Sequence, residues 1–476
     1  MCFGICVHRM LVCPYPGGKW TPWVSNQFRH VHTKVISMLP FASGLRYFHK
    51  RAPLLQAARK ASVYSGYQTR AEIEAYQLDR FNEVWADATT NVPYYARIRS
   101  EHRLPGRFES LAELGAIPYL TREILQSQPE EFRRSHPPDS TSRTGGTTGV
   151  PLTLGVMKGE SLQGAANALV GRFRFGVDFG ARTYLIWGHS HLFGEFPWRW
   201  IRMGKRMVGD AVMNYRRKSA YFLTPDKLHE VFNDMLLWKP SCVIGYSSAL
   251  VAFASANWDR RAAMKGCPLQ AVIYTAEFAS PQARQMLAGF FQVPIVGEYG
   301  CLECGVMAYS TPAGGYRVFW DSVLLSLDAS EGNTGTAIVT SLSPKYTPMI
   351  RYNNDDLLIV PEEELHQSSL LALSDVIGRG HDVLKFEDGT RIHGQALDAC
   401  FTLEIDWVMQ AQVVQRGTRS LTIRIVASRE IGNAEREMIR GKITRLHPEF
   451  GKAEIEQVQK IDTTVAGKRK WIIRLP

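Results

Sequence analysis

The chain has 476 residues, too many for one ordinary hydrophobic core, so two or more domains are expected. Its 45% hydrophobic and 21% charged residues describe a folded globular protein and exclude a disordered one. A formal net charge of +11 suits an anionic ligand or an acidic surface, but suits a solvated basic face equally well.

The eight cysteines, Cys2, Cys6, Cys13, Cys242, Cys267, Cys301, Cys304 and Cys400, are too sparse for a disulfide framework. Cys301 and Cys304 form a C-x-x-C, but no second pair stands near enough to complete a tetrahedral metal site. The pair is therefore assigned to the surroundings of Glu303. No run of about 18 apolar residues occurs, so no membrane-spanning helix is expected. The opening "MCFGICVHRMLVCPYPGG" is broken by His8, Arg9 and Pro14. It reads as part of an N-terminal extension, residues 1–50, and not as a signal peptide. A cytoplasmic protein is the expectation.

From Leu54 to Ser100 the pattern is helical, with Ile73, Tyr76, Leu78, Phe81 and Trp85 near helical spacing, until Asn91-Val92-Pro93 interrupts it. Between Ser142 and Ile377 short apolar runs alternate with helix-like segments. "ARTYLIWG", "SCVIGYSS", "LQAVIYTAE", "VPIVGEYG" and "GTAIVTSL" read as buried strands. "LTPDKLHEVFNDMLLW", with Thr224 as its N-cap, and "SPQARQMLAGFF" read as helices between them. This order predicts an α/β sheet with crossover helices. Within it, "PWRWIRMGKRMVGDAVMNYRRK", Pro197 to Lys218, mixes arginines and tryptophans. That mixture fits a solvated surface with buried tryptophans, a nucleic-acid contact or an anionic membrane surface.

The character changes near Gly378. "WVMQAQVVQRGTRSLTIRIVA" reads as two strands around a turn, "AEREMIRGKITRLHPEF" as a helix, and "AEIEQVQKI" and "KWIIRLP" as further strands. The expected organisation is a large α/β domain over residues 51–378 and a small α+β domain over residues 379–476.

Several short segments carry chemistry. "TGGTTGVPL", Thr144 to Leu152, combines glycines that admit close backbone approach with hydroxyls, a composition suited to phosphate. It lacks the Gly-Lys-Ser/Thr ending of a Walker loop. "GEYGCLECG", Gly297 to Gly305, follows an apolar strand; then come "PMIRYNNDDLLIV", "IGRGHDVLKFEDGTRIHG" and, at the end, "GKRKWIIRLP".

In this order and spacing the segments resemble the adenylate-forming (acyl-CoA synthetase-like) superfamily. The branch resembled is that of phenylacetate–CoA ligase-like and CapK-type proteins of capsule and exopolysaccharide biosynthesis. The resemblance runs from about Leu54 to the C-terminus. It implies a large multi-layer α/β N-terminal domain of the adenylate-forming type with a small mobile α+β C-terminal domain. Thr144, Gly145, Gly146, Thr147, Thr148 and Gly149 would wrap the ATP phosphates. Glu298, Tyr299 and Gly300 would form the adenine side, with the Tyr299 ring stacked on the base. Glu303 would hold Mg²⁺, a carboxylate being a suitable ligand for a hard cation that carries phosphates. Asp356 would accept from both ribose hydroxyls, and Arg379 would reach the ribose or a phosphate. Asp382 would be the hinge, and Lys468 the lysine that enters the site during adenylation. Tyr246, His189 and Ala276 would border the acid pocket.

Several positions depart from the family pattern: the loop begins Thr-Gly-Gly, "VLLSL" at Val323 to Leu327 lacks a common glutamate, and "VMAYSTPAGGYRV" lacks the Cys and His residues many relatives carry. Thr275-Ala276-Glu277 stands where Ser-Gly-Glu is usual, and Asp355 where a glycine is usual, so the local turn is expected to differ. The implied activity is ATP-dependent carboxylate activation through an acyl-adenylate, followed by transfer to the thiol of coenzyme A or to an amine. A nucleotidyltransferase using the same ATP site and an inactive binding member of the family are the alternatives. A small carboxylic acid is the expected substrate. Nucleic acid is not an expected partner, and a homodimer is compatible with the sequence.

Overall fold

The computed structural model describes residues 41–143, 152–187, 198–220, 225–379, 383–388, 390–393, 405, 407–417, 420–461 and 472–475. Three helices open it: α1 (Phe41–Gly66), α2 (Arg70–Asn91) and α3 (Pro93–Glu101). The break between α2 and α3 falls at the predicted Asn91-Val92-Pro93 step. Val92 is extended and Pro93 occupies the first turn of α3, where its missing N–H costs nothing. At the other end of α2, Thr69 and Glu72 form a reciprocal capping box. The short helix α4 (Arg122–Ser127) follows, then the hairpin β1 (Ser140–Arg143) and β2 (Thr153–Val156) and helix α5 (Leu162–Phe173).

A β/α succession comes next: β3 (Thr183–Trp187), α6 (Trp198–Met213), β4 (Tyr215–Ser219), α7 (Pro225–Trp238), β5 (Cys242–Gly245), α8 (Ser247–Ala256), β6 (Ala271–Thr275), α9 (Pro281–Phe291) and β7 (Ile295–Cys301). Strands β8 (Gly305–Ser310) and β9 (Tyr316–Val318) extend this sheet, and β13 (Ala372–Leu373) closes its edge. The eight strands run in the order β13-β9-β8-β7-β6-β5-β3-β4. From β4 to β7 neighbours are parallel; from β7 to β13 they are antiparallel.

Alternate residues of the parallel strands feed two cores, because successive side chains point to opposite faces. Tyr184, Ile186, Val243, Val272 and Tyr274 pack with α7, α8 and α9. Leu185, Cys242, Ile244, Ala271 and Ile273 pack on the other face with residues of α1 and α5. Burial on both sides explains why these strands read as continuous apolar runs.

The predicted strand "GTAIVTSL" exists as β11 (Thr334–Ser341), but in a different sheet. Together with β10 (Val323–Glu331), β12 (Tyr352–Ile359) and β14 (Asp375–Arg379) it forms an antiparallel sheet in the order β10-β11-β12-β14. The expected β/α alternation therefore ends at β7. A third core gathers later residues: Leu384 of β15 (Val383–Lys385), a strand that pairs with β16 (Arg391–His393), and a four-stranded sheet of order β19-β18-β17-β20. Its strands are β17 (Val408–Arg416), β18 (Ser420–Ala427), β19 (Glu454–Gln457) and β20 (Ile472–Leu475); helix α10 (Asn433–Ile443) supplies Ile439 and Ile443 to the same core. The strands and helix predicted after Gly378 are all present.

Candidate active site

Ligands of open α/β sheets bind beyond the carboxyl ends of the parallel strands. Here Trp187, Tyr246 and Ala276 stand at or just past the ends of β3, β5 and β6, and Tyr299 two residues before the end of β7, aligned by the register Ile186–Gly245, Gly245–Tyr274 and Thr275–Glu298. The Trp187 and Tyr246 rings pack with centroids 4.7 Å apart. Ala276 has φ +64°, the left-handed backbone that the more usual glycine would adopt without strain. Glu277 turns away to the start of α8, where its Oε2 accepts from the Ser248 N–H at 3.1 Å and hydroxyl at 2.6 Å.

Two predicted carboxylates are each fixed by at least one residue from a distant part of the chain. The Tyr299 hydroxyl donates to Asp356 Oδ2 at 3.0 Å. Asn354 Nδ2 donates to the same oxygen at 2.7 Å and to the Tyr299 hydroxyl at 3.2 Å. Burial, and then the Asp356 charge, raise the Tyr299 pKa well above the usual phenol value, so it remains a donor. The Tyr299 ring is 7% exposed and belongs to the core. Stacking on an adenine would require that ring to be uncovered; in this conformation its contribution is to hold Asp356.

Glu303 is buried. Its Oε1 accepts from the Tyr352 hydroxyl at 3.2 Å and meets Arg122 Nη1 at 3.6 Å. Burial, then the Glu303 charge, raise the Tyr352 pKa and keep that hydroxyl protonated. Arg122 is the first residue of α4, behind the Thr121 cap, and has no sequence signal linking it to Glu303. Glu303 is one carboxylate, and no cluster of three or more metal-ligating side chains occurs among the described residues. That donor set fits Mg²⁺, which takes one or two protein carboxylates and completes its shell with phosphate and water oxygens.

The other predicted residues sort as follows. Gly300 lies so close to the return strand that a Cβ would stand 2.4 Å from the Gly305 carbonyl oxygen, so no side chain fits. Glu298 is mostly buried, 3.8 Å from Arg172 Nη2. Asp356 and Arg379 are backbone partners across β12 and β14. Arg351 is spent on structure: its Nη1 donates to the carbonyls of Leu114 at 3.0 Å, Gly115, and Ile117 at 2.6 Å, and its guanidinium covers Tyr119. Asp355 keeps the glycine-like turn with φ +62°, its N–H donating to Asn353 Oδ1 at 2.9 Å. This turn is a bulge: Asn354, Asp355 and Asp356 lie opposite one residue of β11 between the pairs Thr336–Leu357 and Ile338–Asn353.

The segment Thr144 to Gly149 lies outside the described residues, as do Thr224, His189, Asp382 and Lys468. The strands flanking the Gly/Thr segment pair antiparallel, with Arg143 opposite Thr153. Cys301 and Cys304 are free thiols; hydrogen bonding to Cys304, then burial, raise the Cys301 pKa and favour its neutral thiol.

Residues 384–475 match the family described as CapK C-terminal domain. A search of curated protein sequences gave no match. Among solved structures, 2-hydroxyisobutyryl-CoA ligase in the postadenylation state with 2-HIB-AMP is similar with a TM-score of 0.63 and 17% identity, over 85% of this chain and 90% of that one. The same ligase with 2-HIB-AMP and CoA in the thioesterification state gives 0.55 and 18%, over 85% and 90%. The anthranilate CoA ligase AuaEII with anthranoyl-AMP gives 0.50 and 15%, over 75% and 73%. At these identities the likeness is one of fold, and the chain thus has the adenylate-forming fold and carries a CapK-type C-terminal domain.

Proposed function

We propose that the protein activates a small carboxylic acid with ATP. A carboxylate oxygen attacks the α-phosphorus, the bond to pyrophosphate breaks, and an acyl-adenylate forms. A thiol, that of coenzyme A, or an amine then attacks the acyl carbon and AMP leaves. The observation that carries this reading is the pairing of two positioned carboxylates at the end of β7: Asp356 under Tyr299 and Asn354, and Glu303 under Tyr352 and Arg122.

Asp356 is set to accept the two ribose hydroxyls, an arrangement in which an ionised acceptor gains most. Glu303 would hold Mg²⁺, which supplies charge neutralisation on the phosphates when bound. Tyr246 and Ala276 would border the acid, and the Gly/Thr segment would meet the phosphates. The ligase neighbours bound to acyl-adenylates support the adenylation step. The match of residues 384–475 to the CapK C-terminal domain is consistent with a role in capsule or exopolysaccharide biosynthesis, the acceptor being either coenzyme A or an amine.

The test is pyrophosphate release from ATP over a panel of carboxylic acids, with Tyr299→Phe and Glu303→Gln beside the wild type. Acid-dependent release is expected. Tyr299→Phe removes a hydrogen bond to a charged group, so the KM for ATP should rise roughly tenfold while the fold is kept. Glu303→Gln should lower turnover by about two orders of magnitude. Nucleotide binding without release for any acid, or AMP attached covalently to an acceptor, would reject carboxylate activation.

A further inference from the structure

The basic segment after β3 is not absorbed by the proposed activity. It forms α6, an edge crossover helix that leads into β4, the last strand of the eight-stranded sheet. Its sequence holds Arg199, Arg202, Lys205 and Arg206 against a single acid, Asp210, among Trp198, Trp200, Ile201, Met203, Met207 and Val208. An ordinary crossover helix turns its apolar stripe inward. This one also presents apolar side chains outward over its last turns. Asp210 faces β4, accepting from Arg217 Nε at 2.8 Å, and Met213 is buried beside it. Met207 is 65% exposed and Val208 66%, with Arg206 and Ala211 exposed beside them. In the sequence Met207 continues the spacing of Trp200 and Met203 at seven and four residues.

We propose that α6 docks the protein on an anionic lipid surface. The chemistry matches on two counts. The outward methionine and valine would enter the acyl boundary, while neighbouring cations meet the headgroup charge. Arginine suits this because its stem lies along apolar surface and its head stays at the interface. Among the described residues no helix is long and apolar enough to cross a membrane, so the contact would be peripheral. Nucleic acid is the poorer occupant, since an exposed Met–Val pair offers phosphates nothing. The other cations of the segment are largely engaged: Arg217 with Asp210, and Arg216 and Lys218 with Asp234. The proposal does not rest on the reaction assigned above.

The test is flotation of the full-length protein with phosphatidylcholine vesicles, with and without phosphatidylglycerol. Binding is expected only with the anionic lipid, and it should weaken as salt shortens the Debye length to about 3 Å near 1 M. Met207→Glu with Val208→Glu should lower partitioning at least about tenfold, the weight of one apolar side chain returned to water. Arg206→Gln should lower it roughly fivefold. Thermal melts matching the wild type would show that these exposed substitutions leave the fold intact. Equal binding to both vesicles, no binding to either, or undiminished binding of the double variant would overturn the proposal. So would a solution dimer that the double variant splits, or salt-sensitive RNA binding lost in Arg206→Gln without lipid binding.

Discussion

Three non-glycine residues around the site hold left-handed backbone: Ala276, Arg351 and Asp355, at φ +64°, +48° and +62°. They do not bear equal strain. Aspartate tolerates this region because its short polar side chain bonds locally, and Asp355 belongs to an Asn-Asn-Asp-Asp run built for such bonds. The methyl side chain of Ala276 cannot make such a bond. Replacing Ala276 with glycine should therefore stabilise the protein by about 1 kcal/mol, whereas Asp355→Gly should be nearly neutral. Urea unfolding of both variants measures the difference, and an unstabilised Ala276→Gly would show that no strain resides there. At this scale the sequence was informative wherever the chemistry is local. Asp356 and Asn354 stand two residues apart, and Tyr299, Gly300 and Glu303 form one short segment. Arg122 was not legible, because its link to Glu303 exists only once the Leu120 backbone pairs with Tyr352. The burial of the Tyr299 ring also lay outside the sequence signal, since a strand-end tyrosine has the same letters whether its face is open or covered.

Among the elements, the buried parallel strands and their crossover helices were the readable part. Continuous apolar runs bounded by Gly, Pro and Ser leave little choice, and Ser280 starts α9 by accepting from the Ala283 N–H at 3.1 Å. The antiparallel sheet was not readable. Strand β12 carries Asn353, Asn354, Asp355 and Asp356, and its bulge breaks the two-residue alternation by which strands are found. Only β11 of that sheet was apolar enough to show, and pairing, not composition, decides which sheet receives it. In the C-terminal core a local contact makes a pH prediction. His447 Nδ1 accepts from the Glu449 N–H at 3.2 Å, so the neutral ring carries its proton on Nε2, which stands 3.0 Å from Asp388 Oδ2. That donor first, and the Thr390 N–H next, lower the Asp388 carboxyl from 3.8 to about 2. A depressed carboxyl stabilises the fold fully above its unfolded value, and the contribution is lost as pH falls through about 2. An NMR titration should place the Asp388 midpoint near 2. His447→Leu should move it upward, and an unmoved midpoint would remove His447 as the cause.

At the scale of the whole molecule, the proposed reaction raises the question of how a single pair of carboxylates would serve two half-reactions. Asp356 and Glu303 lie within the part built on the eight- and four-stranded sheets, and their partners come from that same part. On the proposed reading, what changes between the steps is supplied by the remaining residues: Lys468 for adenylation and Asp382 for the rotation that exchanges acceptor for lysine. Such an exchange lets one site run two chemistries. The two residues should therefore fail in opposite ways. Lys468→Ala should lower pyrophosphate release by about two orders of magnitude, because it removes charge that stabilises the transition state. It should leave transfer from a supplied acyl-adenylate nearly intact. Asp382→Pro fixes φ at the hinge, so it should leave adenylation within a few fold and slow transfer by at least about tenfold. Burst and single-turnover measurements, with the acyl-adenylate followed directly, separate the steps. If both variants lose both steps equally, the division of labour between the carboxylate pair and the C-terminal residues is wrong, even if carboxylate activation itself stands.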